Sequence, residues 1–335
     1  MQIQNDISLK DFNTFGIDIL AKEYISISTN EQLQNLLKTR KDVFVLSGGS
    51  NMLLTKSPDK LVVHLNTKGK EIQQLENGNV VVTVQAGENW HEFVLWCIEK
   101  EFGGLENLSL IPGNVGTCPI QNIGAYGTEV KDTITKVRAV EINTEKTVVF
   151  SNAACEFGYR NSIFKEAAKG KFIITAVSFE LTQKNHNLNY SYGAIQAQLN
   201  ARAIENPNLK DISDVVIAIR DSKLPNPKEI GNCGSFFKNP VVATSVFEEI
   251  QKKYPNMPFY PISEKETKIP AGWLIEQAGF KGKRFGNTGA HKNQALVLVN
   301  YGGATGEEVV ALATKIRKEI TSMFGISLEV EVNIL

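Results

Sequence analysis

The segment Ile111–Gly127 constrains this chain more than any other stretch of its sequence. Its seventeen residues include four glycines and two prolines, yet they form no low-complexity repeat. Glycine permits positive φ and close approach of another group to the main chain, whereas proline fixes φ and removes an amide donor. The pattern favours a loop whose backbone amides wrap a flat or anionic group. An ordered surface loop without a ligand is the alternative.

A second glycine segment, Leu46–Leu54, follows a predicted strand. Its turn Gly48–Asn51 has the composition of loops that present main-chain amides to a pyrophosphate. It has neither the lysine of a Walker loop nor the Gly-x-Gly-x-x-Gly spacing of a dinucleotide-binding turn. Taken alone, this segment is more typical of a plain tight turn.

Composition and charge exclude several classes of protein. The 335 residues are 42% hydrophobic and 21% charged, which is typical of a soluble globular chain of two or three domains. The 36 Lys and Arg residues balance 36 Asp and Glu residues, so no net field favours nucleic acid or an anionic membrane. The N-terminus lacks the basic and apolar regions of a signal peptide, and no apolar run reaches a membrane-spanning length. The four cysteines and four histidines are scattered without metal-ligand spacing, so we expect a cytoplasmic, metal-free protein with reduced thiols.

The first part of the sequence predicts a small α/β unit that ends near Asn66. Thr29–Gln32 has the form of a capping box, and three leucines at helical spacing follow it: Leu33, Leu36 and Leu37. Val43–Leu46 and Leu61–Leu65 are predicted to be buried strands on either side of the glycine turn.

A second unit begins with a predicted strand at Val80–Val84. Asn89 is placed to cap a helix with one apolar face. The strands predicted to complete a mixed sheet are Val137–Ile142, Thr147–Phe150 and Phe172–Leu181.

The pattern changes between residues 188 and 227. The sequence predicts a turn at Tyr190–Gly193 and then a helix with four apolar residues on one face: Ile212, Val215, Val216 and Ile219. Leu224–Pro227 breaks that helix, and we expect another domain to start near it.

The end of the chain predicts one long helix and one strand. Thr305–Glu308 has the form of a capping box, and Gly325 ends the helical pattern. The tail Leu328–Ile334 alternates strictly, which predicts a strand with Leu328, Val330, Val332 and Ile334 on one face and Glu331 on the other.

Six segments in the same order give the chain a close resemblance to one family, the UDP-N-acetylenolpyruvoylglucosamine reductases (MurB). These are flavoenzymes of bacterial peptidoglycan precursor synthesis. Besides Leu46–Leu54 and Ile111–Gly127, the matching segments are Phe157–Lys165, Gly231–Pro240, Pro270–Gly279 and Ala290–Asn300. The resemblance extends from about Phe15 to Val332.

The resemblance implies an α+β fold with a two-part FAD-binding region of the vanillyl-alcohol-oxidase/PCMH type and a separate α+β substrate-binding domain. The implied domains are residues 1–66, residues 67–210 together with 326–335, and residues 211–325. The long segment from Leu188 to Pro227 agrees with the longer of the family's two subclasses.

The implied activity is that of a UDP-N-acetylmuramate dehydrogenase. NADPH would reduce FAD, and UDP-N-acetylglucosamine enolpyruvate would then be reduced to UDP-N-acetylmuramate in a ping-pong order. Hydride would pass from flavin N5 to the substrate methylene carbon, and a serine would deliver the proton. We expect a monomer whose partners are this UDP-sugar and NADPH. An FAD-linked oxidase of related fold and a non-catalytic flavin- or nucleotide-binding module are the alternatives.

The resemblance also assigns binding residues. Those implied to hold the pyrophosphate of FAD are Gly48, Gly49, Ser50 and Asn51. Those implied to surround the rest of the cofactor are Pro112, Gly113, Gly116, Gln121, Asn122, Gly124, Ala125 and Tyr126.

Five further residues are implied to bind the substrate. Tyr192 would cover the diphosphate from a mobile loop, and Arg220 and Lys223 would supply cations near it. Asn239 would contact the nucleotide sugar, and Gln294 would reach the substrate. A lysine at a helix end, such as Lys223, is equally typical of a solvated surface.

Three residues are implied to be catalytic. Arg160 matches the family's Tyr-Arg-x-Ser motif, because hydride addition to an enol ether leaves negative charge that a preorganised guanidinium stabilises. Ser235 matches the acid that protonates the negatively charged carbon next to the methylene carbon. Proton transfer from a serine requires a basic acceptor and a pocket that excludes water. Glu331 matches the second glutamate of a Glu-x-Glu-Val ending and would orient or shuttle a proton. By pattern alone, these residues are more typical of a stacked surface arginine, a turn serine and a solvated glutamate.

The chain departs from the family pattern at three positions. Asn333 stands where the family often has arginine, Cys233 where it commonly has alanine, and Cys118 where it has a small residue. We expect both cysteines to be packing residues, since a redox role needs a second cysteine nearby. His291 lies in a matching segment and is expected to be structural.

Overall fold

A computed structural model describes residues 2–335, which form helices and strands in mixed order. The helices are α1 (Asn30–Leu37), α2 (Trp90–Glu99), α3 (Gly193–Ala201), α4 (Leu209–Lys223), α5 (Thr244–Lys253), α6 (Ala271–Gln277) and α7 (Gly306–Phe324). The strands are β1 (Gln4–Ser8), β2 (Leu20–Ile27), β3 (Val43–Leu46), β4 (Met52–Leu53), β5 (Leu61–Leu65), β6 (Lys70–Gln74), β7 (Val80–Gln85), β8 (Gly124–Ala125), β9 (Thr128–Glu129), β10 (Ile134–Glu141), β11 (Thr147–Ser151), β12 (Phe172–Leu181), β13 (Gly231–Ser235), β14 (Val241–Ala243), β15 (Tyr260–Pro261), β16 (Glu266–Lys268), β17 (Arg284–Phe285), β18 (Thr288–Ala290), β19 (Val297–Asn300) and β20 (Asn333–Ile334). This mixture confirms the predicted α+β class.

The chain divides into two compact units. The first unit comprises residues 2–7, Ala21–Gly48 and Pro58–Arg220. The second unit comprises Ser8–Leu20, Gly49–Ser57 and Asp221–Leu335. The tail 326–335 therefore groups with residues 221–325 by proximity. The three-part division at residues 66 and 210 stays a prediction about domain organisation.

The first unit contains a small sheet in the order β1-β2-β5-β3, in which β2, β5 and β3 are parallel. Helix α1 begins after Thr29, whose hydroxyl accepts a hydrogen bond from the Gln32 amide at 3.1 Å, and its three predicted leucines are buried. Strand β5 is buried as predicted, but β3 buries only Leu46, and Val45 is 38% exposed. The prediction of a buried β3 is wrong because this strand lies at the edge of the sheet, where fewer neighbours cover it.

The second sheet of the first unit has the order β11-β10-β12-β7-β6. Every pairing in it is antiparallel, so the prediction of a mixed sheet is wrong. The physical reason is that short turns join β6 to β7 and β10 to β11, and a short turn can connect only antiparallel neighbours. Helix α2, capped by Asn89 at 3.0 Å from the Glu92 amide, packs Trp90 and Phe93 against Phe179 of β12.

Helices α3 and α4 form a separate small core of the first unit. The predicted face of α4 is buried, which confirms that helix. Helix α3 was not predicted, since only Ile195 and Leu199 give it an apolar stripe. Tyr126 and Tyr190 pack against this helix pair.

The second unit is built around the antiparallel sheet β13-β19-β18-β17 and helix α7. The predicted capping box is present: the Thr305 hydroxyl accepts from the Glu308 amide, and the Glu308 carboxylate accepts from the Thr305 amide. Gly325 ends α7 with φ 68°, as predicted. Across residues 2–335, no helix combines the length and apolarity that crossing a bilayer requires.

The tail differs from the predicted continuous strand. Leu328 and Val332 are buried, but Ile334 is 43% exposed and only Asn333–Ile334 form a strand, β20. Val330 forms an antiparallel bridge with Phe237, whereas β20 pairs in parallel with β4. Because the tail changes its pairing partner after Val332, the single apolar face that alternation predicted is not maintained.

Candidate active site

The two glycine segments meet at their main chains in the first unit. A Cβ atom on Gly48 would lie 2.7 Å from Gly113 Cα and 2.9 Å from Asn114 N. A Cβ atom on Gly116 would lie 2.5 Å from the Cβ of Ala86. Real Cβ atoms do not approach other atoms this closely, so both positions require glycine.

Main-chain hydrogen bonds hold the Gly113–Gly116 part of the loop in place. Trp90 N donates to Gly113 O at 3.0 Å, and Gly116 N donates to Ala86 O at 2.9 Å. Since Trp90 is the first residue of α2, the loop is fixed against a packed helix. These bonds hold the loop where Gly113 contacts Gly48, a contact that we call the crossing of Gly48 and Gly113.

Ser47 precedes Gly48 at the carboxyl end of β3. Its hydroxyl oxygen is buried and has no hydrogen-bond partner among residues 2–335. Buried hydroxyls are normally satisfied by a partner. The position was not singled out in the sequence, and the signal that could have found it is a serine directly before a glycine turn at a strand end.

Asn122 braces the second half of the loop from inside the protein. It is fully buried, and its side-chain nitrogen donates to Glu129 Oε2 and to Gly158 O, both at 3.0 Å. Its Oδ1 accepts from Lys131 N at 3.1 Å. Both amide hydrogens are therefore in use within the protein, and a contact to a cofactor would come from the main chain or from the second lone pair of Oδ1.

Tyr126 joins predicted cofactor and substrate residues in one cluster. Its ring meets that of Tyr192 edge to face, with 5.5 Å between centroids. Burial raises the pKa of Tyr126, and the Arg220 guanidinium, which hydrogen-bonds to the phenol, opposes that shift. Arg220 Nε also donates to Leu110 O at 3.2 Å. Tyr126, Tyr192 and Arg220 thus lie together, as a common site for a bound anion requires.

Arg160 lies against the glycine loop Ile111–Gly127. Its Nη2 donates to Gly124 O at 2.7 Å, and its guanidinium carbon lies 5.6 Å from the centroid of the Tyr159 ring. Ser162 Oγ donates to Ile120 O at 2.6 Å, so the motif is bonded to the glycine loop through both Arg160 and Ser162. Arg160 has φ 52°, a left-handed conformation that costs on the order of 1–3 kcal/mol for a residue with a side chain. The motif therefore holds the guanidinium against the loop at an energetic cost, as functional positions often do.

The remaining predicted cofactor residues of the first unit occupy the same loop. Gly124 and Ala125 form β8, which pairs with β9. Pro112 is exposed, and Gln121 is half-buried.

In the second unit, main-chain pairing brings Glu331 next to Ser235. Glu331 N donates to the carbonyl of Phe236, the residue after Ser235, at 2.9 Å. Burial raises the pKa of the Cys233 thiol, and the negative charge of the Glu331 carboxylate raises it further. The Glu331 carboxylate therefore lies near the strand β13 that carries Ser235. Two predicted catalytic residues that are 96 positions apart in sequence (331 − 235) thus lie on main-chain segments that pair with each other.

The turn after Gly49 belongs to the same part of the second unit. Asn51 Nδ2 donates to Glu331 O at 3.4 Å, and Asn51 O accepts from Asn333 N and from Asn333 Nδ2 at 3.2 and 2.9 Å. Gly49 has φ 57°, and a Cβ atom there would lie 2.0 Å from Phe12 O. Asn333, which replaces the family's frequent arginine, thus holds the Asn51 turn and the tail that carries Glu331 together.

Asn239 and Gln294 line one open cavity of the second unit, with a volume of about 300 Å³. Asn239 Oδ1 accepts from Ala271 N at 2.9 Å, and Gln294 Oε1 accepts from Leu296 N at 3.3 Å. The other polar residues of the lining, Trp273, Glu276 and Asn293, were not assigned from the sequence. They lie in the matching segments Pro270–Gly279 and Ala290–Asn300, which could have indicated them.

Lys223 and His291, two residues singled out in the sequence, lie in different surroundings: Lys223 is exposed and His291 is buried. Lys223 is the last residue of α4 and is exposed, as a lysine at a helix end commonly is. His291 is buried, and burial, followed by the charge of Lys292, lowers its pKa. Its Nδ1 accepts from Asn293 N at 3.4 Å, which agrees with a structural role.

The cysteines are buried thiols. Burial raises the pKa of Cys118 and of Cys233, which keeps both thiols protonated and unreactive. Within the part of the chain that is described, no three His, Cys, Asp or Glu side chains are grouped as a metal ion would require.

Comparison with known proteins identifies the family. Residues 21–151 match the FAD binding domain family, and residues 226–335 match the C-terminal domain of UDP-N-acetylenolpyruvoylglucosamine reductase. UDP-N-acetylenolpyruvoylglucosamine reductase of Flavobacterium johnsoniae is 58% identical and covers 100% of both chains. The reductase of the same name from Pseudomonas putida is 44% identical and covers 100% of this chain and 99% of its own.

A solved structure agrees with this assignment. The crystal structure of UDP-N-acetylenolpyruvylglucosamine reductase (MurB) from Thermus caldophilus matches with a TM-score of 0.70 at 22% identity, over 100% of this chain and 99% of that chain. At this identity the match shows the fold. It confirms the predicted fold, with an FAD-binding region and a separate C-terminal domain.

The first unit fits FAD on structural grounds as well. The contact of Gly48 with Gly113 excludes a side chain at position 48, so this position can offer a ligand only main-chain groups, and Ser47 adds an unpaired buried hydroxyl beside it. A pyrophosphate is bound by surfaces of this kind. FAD is the cofactor, and the chain belongs to the UDP-N-acetylenolpyruvoylglucosamine reductase family of flavin-dependent oxidoreductases.

Proposed function

We propose that this chain reduces UDP-N-acetylglucosamine enolpyruvate to UDP-N-acetylmuramate with NADPH as the reductant. The observation that carries the proposal is the pairing of the tail with residues 236–238, which supports joint action of Ser235 and Glu331. The full-length relatives that bear this activity in their names support it further. The preference for NADPH rests on the family resemblance.

FAD, when bound, would supply the hydride chemistry that couples NADPH oxidation to reduction of the enolpyruvyl group in separate half-reactions. Arg160 is proposed to stabilise the negative charge that develops beside the substrate carboxylate, because a guanidinium held in place needs no reorganisation during the reaction. Its bond to Gly124 O provides that fixed position.

Ser235 is proposed to deliver the proton to the carbon next to the methylene. A hydroxyl can do this only for a strongly basic carbon in a site that excludes water. Glu331 is proposed to orient this hydroxyl or to restore its proton. The half-burial of both residues and their position on paired segments support this division of roles.

The substrate diphosphate is proposed to bind with Tyr192, Arg220 and Lys223, and the nucleotide sugar with Asn239 and Gln294. The hydrogen bond between Arg220 and Tyr126 supports a cation fixed near the glycine loop. The open polar cavity supports a sugar-binding role for Asn239 and Gln294. We further propose that the protein acts as a monomer in the cytoplasm, where NADPH and the soluble nucleotide sugar are available.

The deciding experiment is anaerobic NADPH oxidation by the purified flavoprotein, with and without UDP-N-acetylglucosamine enolpyruvate. Sustained NADPH consumption only with the UDP-sugar, and formation of UDP-N-acetylmuramate by mass spectrometry, are expected. A single stoichiometric bleaching of the flavin without turnover would indicate another acceptor. Rapid reoxidation of the reduced flavin when oxygen is then admitted would favour an FAD-linked oxidase, and failure of NADPH to bleach bound flavin would favour a binding module.

A further inference from the structure

We infer that Ser47 binds the cofactor, with its hydroxyl donating a hydrogen bond to a pyrophosphate oxygen of FAD. The inference rests on the assignment of FAD to the crossing of Gly48 and Gly113. It adds a side chain to a site that otherwise consists of main chain at this point.

Ser47 Oγ is buried, yet no acceptor or donor among residues 2–335 pairs with it. Leaving a buried hydroxyl without a partner costs free energy, and such groups are rare unless a ligand or ion satisfies them. Asn30 Oδ1 and Asn161 Oδ1 share this state but accept only, whereas a hydroxyl can donate.

Ser47 occupies the carboxyl end of a strand in a parallel part of the sheet. It follows directly on β3, which is parallel to β5, and β5 is parallel to β2. Ligands of open parallel sheets bind outside the carboxyl ends of the strands. Ser47 lies at such an end, next to the glycine whose Cα packs on Gly113.

The Ser47 hydroxyl suits one part of FAD, the pyrophosphate. The contact between Gly48 and the Gly113–Asn114 peptide leaves no room for a side chain, so position 48 can offer a ligand only its main-chain groups. Amides attract anions. The anionic part of FAD is its pyrophosphate, whose oxygens accept hydrogen bonds and do not donate them. A serine hydroxyl is the complementary donor.

The test compares Ser47→Ala with wild type by titrating the full-length apoprotein with FAD and, separately, with riboflavin, which lacks the pyrophosphate. Ser47→Ala should bind FAD about ten- to a hundred-fold more weakly, which corresponds to one hydrogen bond to a charged acceptor. Riboflavin affinity should be unchanged.

Ser178→Ala serves as the matched control. Its hydroxyl lies in the same unit and bonds to Thr83 Oγ1 at 2.8 Å, so its removal should lower stability slightly and leave FAD affinity unchanged. Ser47→Ala should show the opposite pattern: an apoprotein melting temperature equal to or above that of wild type, and a lowered melting temperature with FAD bound. The sign of the apoprotein change separates a lost cofactor contact from damage to the fold.

Unchanged FAD affinity in Ser47→Ala would overturn the inference and leave an enclosed water as the partner of the hydroxyl. Equal losses for FAD and riboflavin would also overturn it, because they would indicate altered packing. Failure of the wild-type protein to bind FAD would instead contradict the assignment of the cofactor.

Discussion

The two units present their predicted functional residues by different physical means. In the first unit, the glycine segments meet through main chain, and positions such as Gly48 and Gly116 exclude any Cβ atom. In the second unit, Ser235 and Glu331 are side chains on paired extended segments, and their backbones tolerate many residue types. The first region is therefore sensitive to added atoms and the second to lost functional groups. Substitutions should separate a loss of cofactor binding from a loss of chemistry.

The largest effect is expected for Ser235→Ala. General acid catalysis contributes about 10²- to 10⁴-fold, so reoxidation of reduced enzyme by the enolpyruvyl substrate should slow by that factor. Flavin reduction by NADPH and the free energy of unfolding should stay close to wild type. Anaerobic stopped-flow absorbance measures the two half-reactions separately.

Ser245→Ala, at an exposed position of α5 in the same unit, is the control and should leave both half-reactions unchanged. If Ser235→Ala slows NADPH-driven reduction as much as reoxidation, Ser235 is not the proton donor. The contrast between the two regions would then fail, because a side chain of the second unit would affect both reduction and reoxidation of the flavin.

Glu331→Gln should weaken the same half-reaction, by about 10²-fold, since the amide keeps the shape of the side chain but cannot carry a proton. Glu329→Gln is the matched control: it lies two residues earlier, is 67% exposed and pairs with Lys238. Rapid-mixing traces for the two variants decide the role of Glu331. Reoxidation at the wild-type rate in Glu331→Gln would exclude it as a catalytic group.

Gly48→Ala should impair the stability of the first unit and its FAD binding, instead of a single half-reaction. The new Cβ atom meets Gly113 main chain at 2.7 Å, so we expect a loss of about 1–3 kcal/mol in unfolding free energy together with weak FAD binding. Gly193→Ala, at the first residue of α3 with no atom within 4 Å of its Cβ, should be neutral or stabilising. Urea denaturation and flavin retention on gel filtration report both quantities. Normal FAD retention in Gly48→Ala would show that the crossing can relax and is not a steric requirement.

The smallest effect concerns pH, and it compares one histidine from each unit. Burial is the larger cause that lowers the pKa of His64, and the positive charge of Lys68 lowers it further. Burial and the charge of Lys292 lower the pKa of His291 in the same way. The pKa of a histidine in the unfolded chain is about 6.5. Below that pH the unfolded chain binds protons that the folded protein excludes. The stability contributed by the two neutral histidines is therefore present above pH 6.5 and is lost as the pH falls. Thermal melting between pH 8 and pH 5 should therefore show falling stability, with a shallower slope in His64→Gln and in His291→Gln. An unaltered slope in either variant would mean that its imidazole does not carry the pH dependence.

The sequence determined most of the regular elements, because their signals are local. Strands β5 and β12 and helix α7, with its capping box and Gly325 end, follow from apolar spacing and end residues within a few positions. The glycine segments were also visible in the sequence. At positions such as Gly48 and Gly116 a Cβ atom would clash, so the fold requires glycine there and the requirement appears directly as a residue type. Membership of the family followed from the same segments.

The tertiary structure decided what depends on partners distant in sequence. The five-stranded sheet proved antiparallel, and the tail proved to change partner after Val332, because strand pairing is not encoded in the spacing of one strand. The packing of Tyr126 with Tyr192, and of Glu331 with the Ser235 strand, likewise appears only once the chain is folded. The unpaired hydroxyl of Ser47 shows the same limit, since a sequence names a serine but only packing shows whether its oxygen has a partner. Local conformational preferences thus fix elements and turns, whereas contacts across the chain fix which side chains can act together.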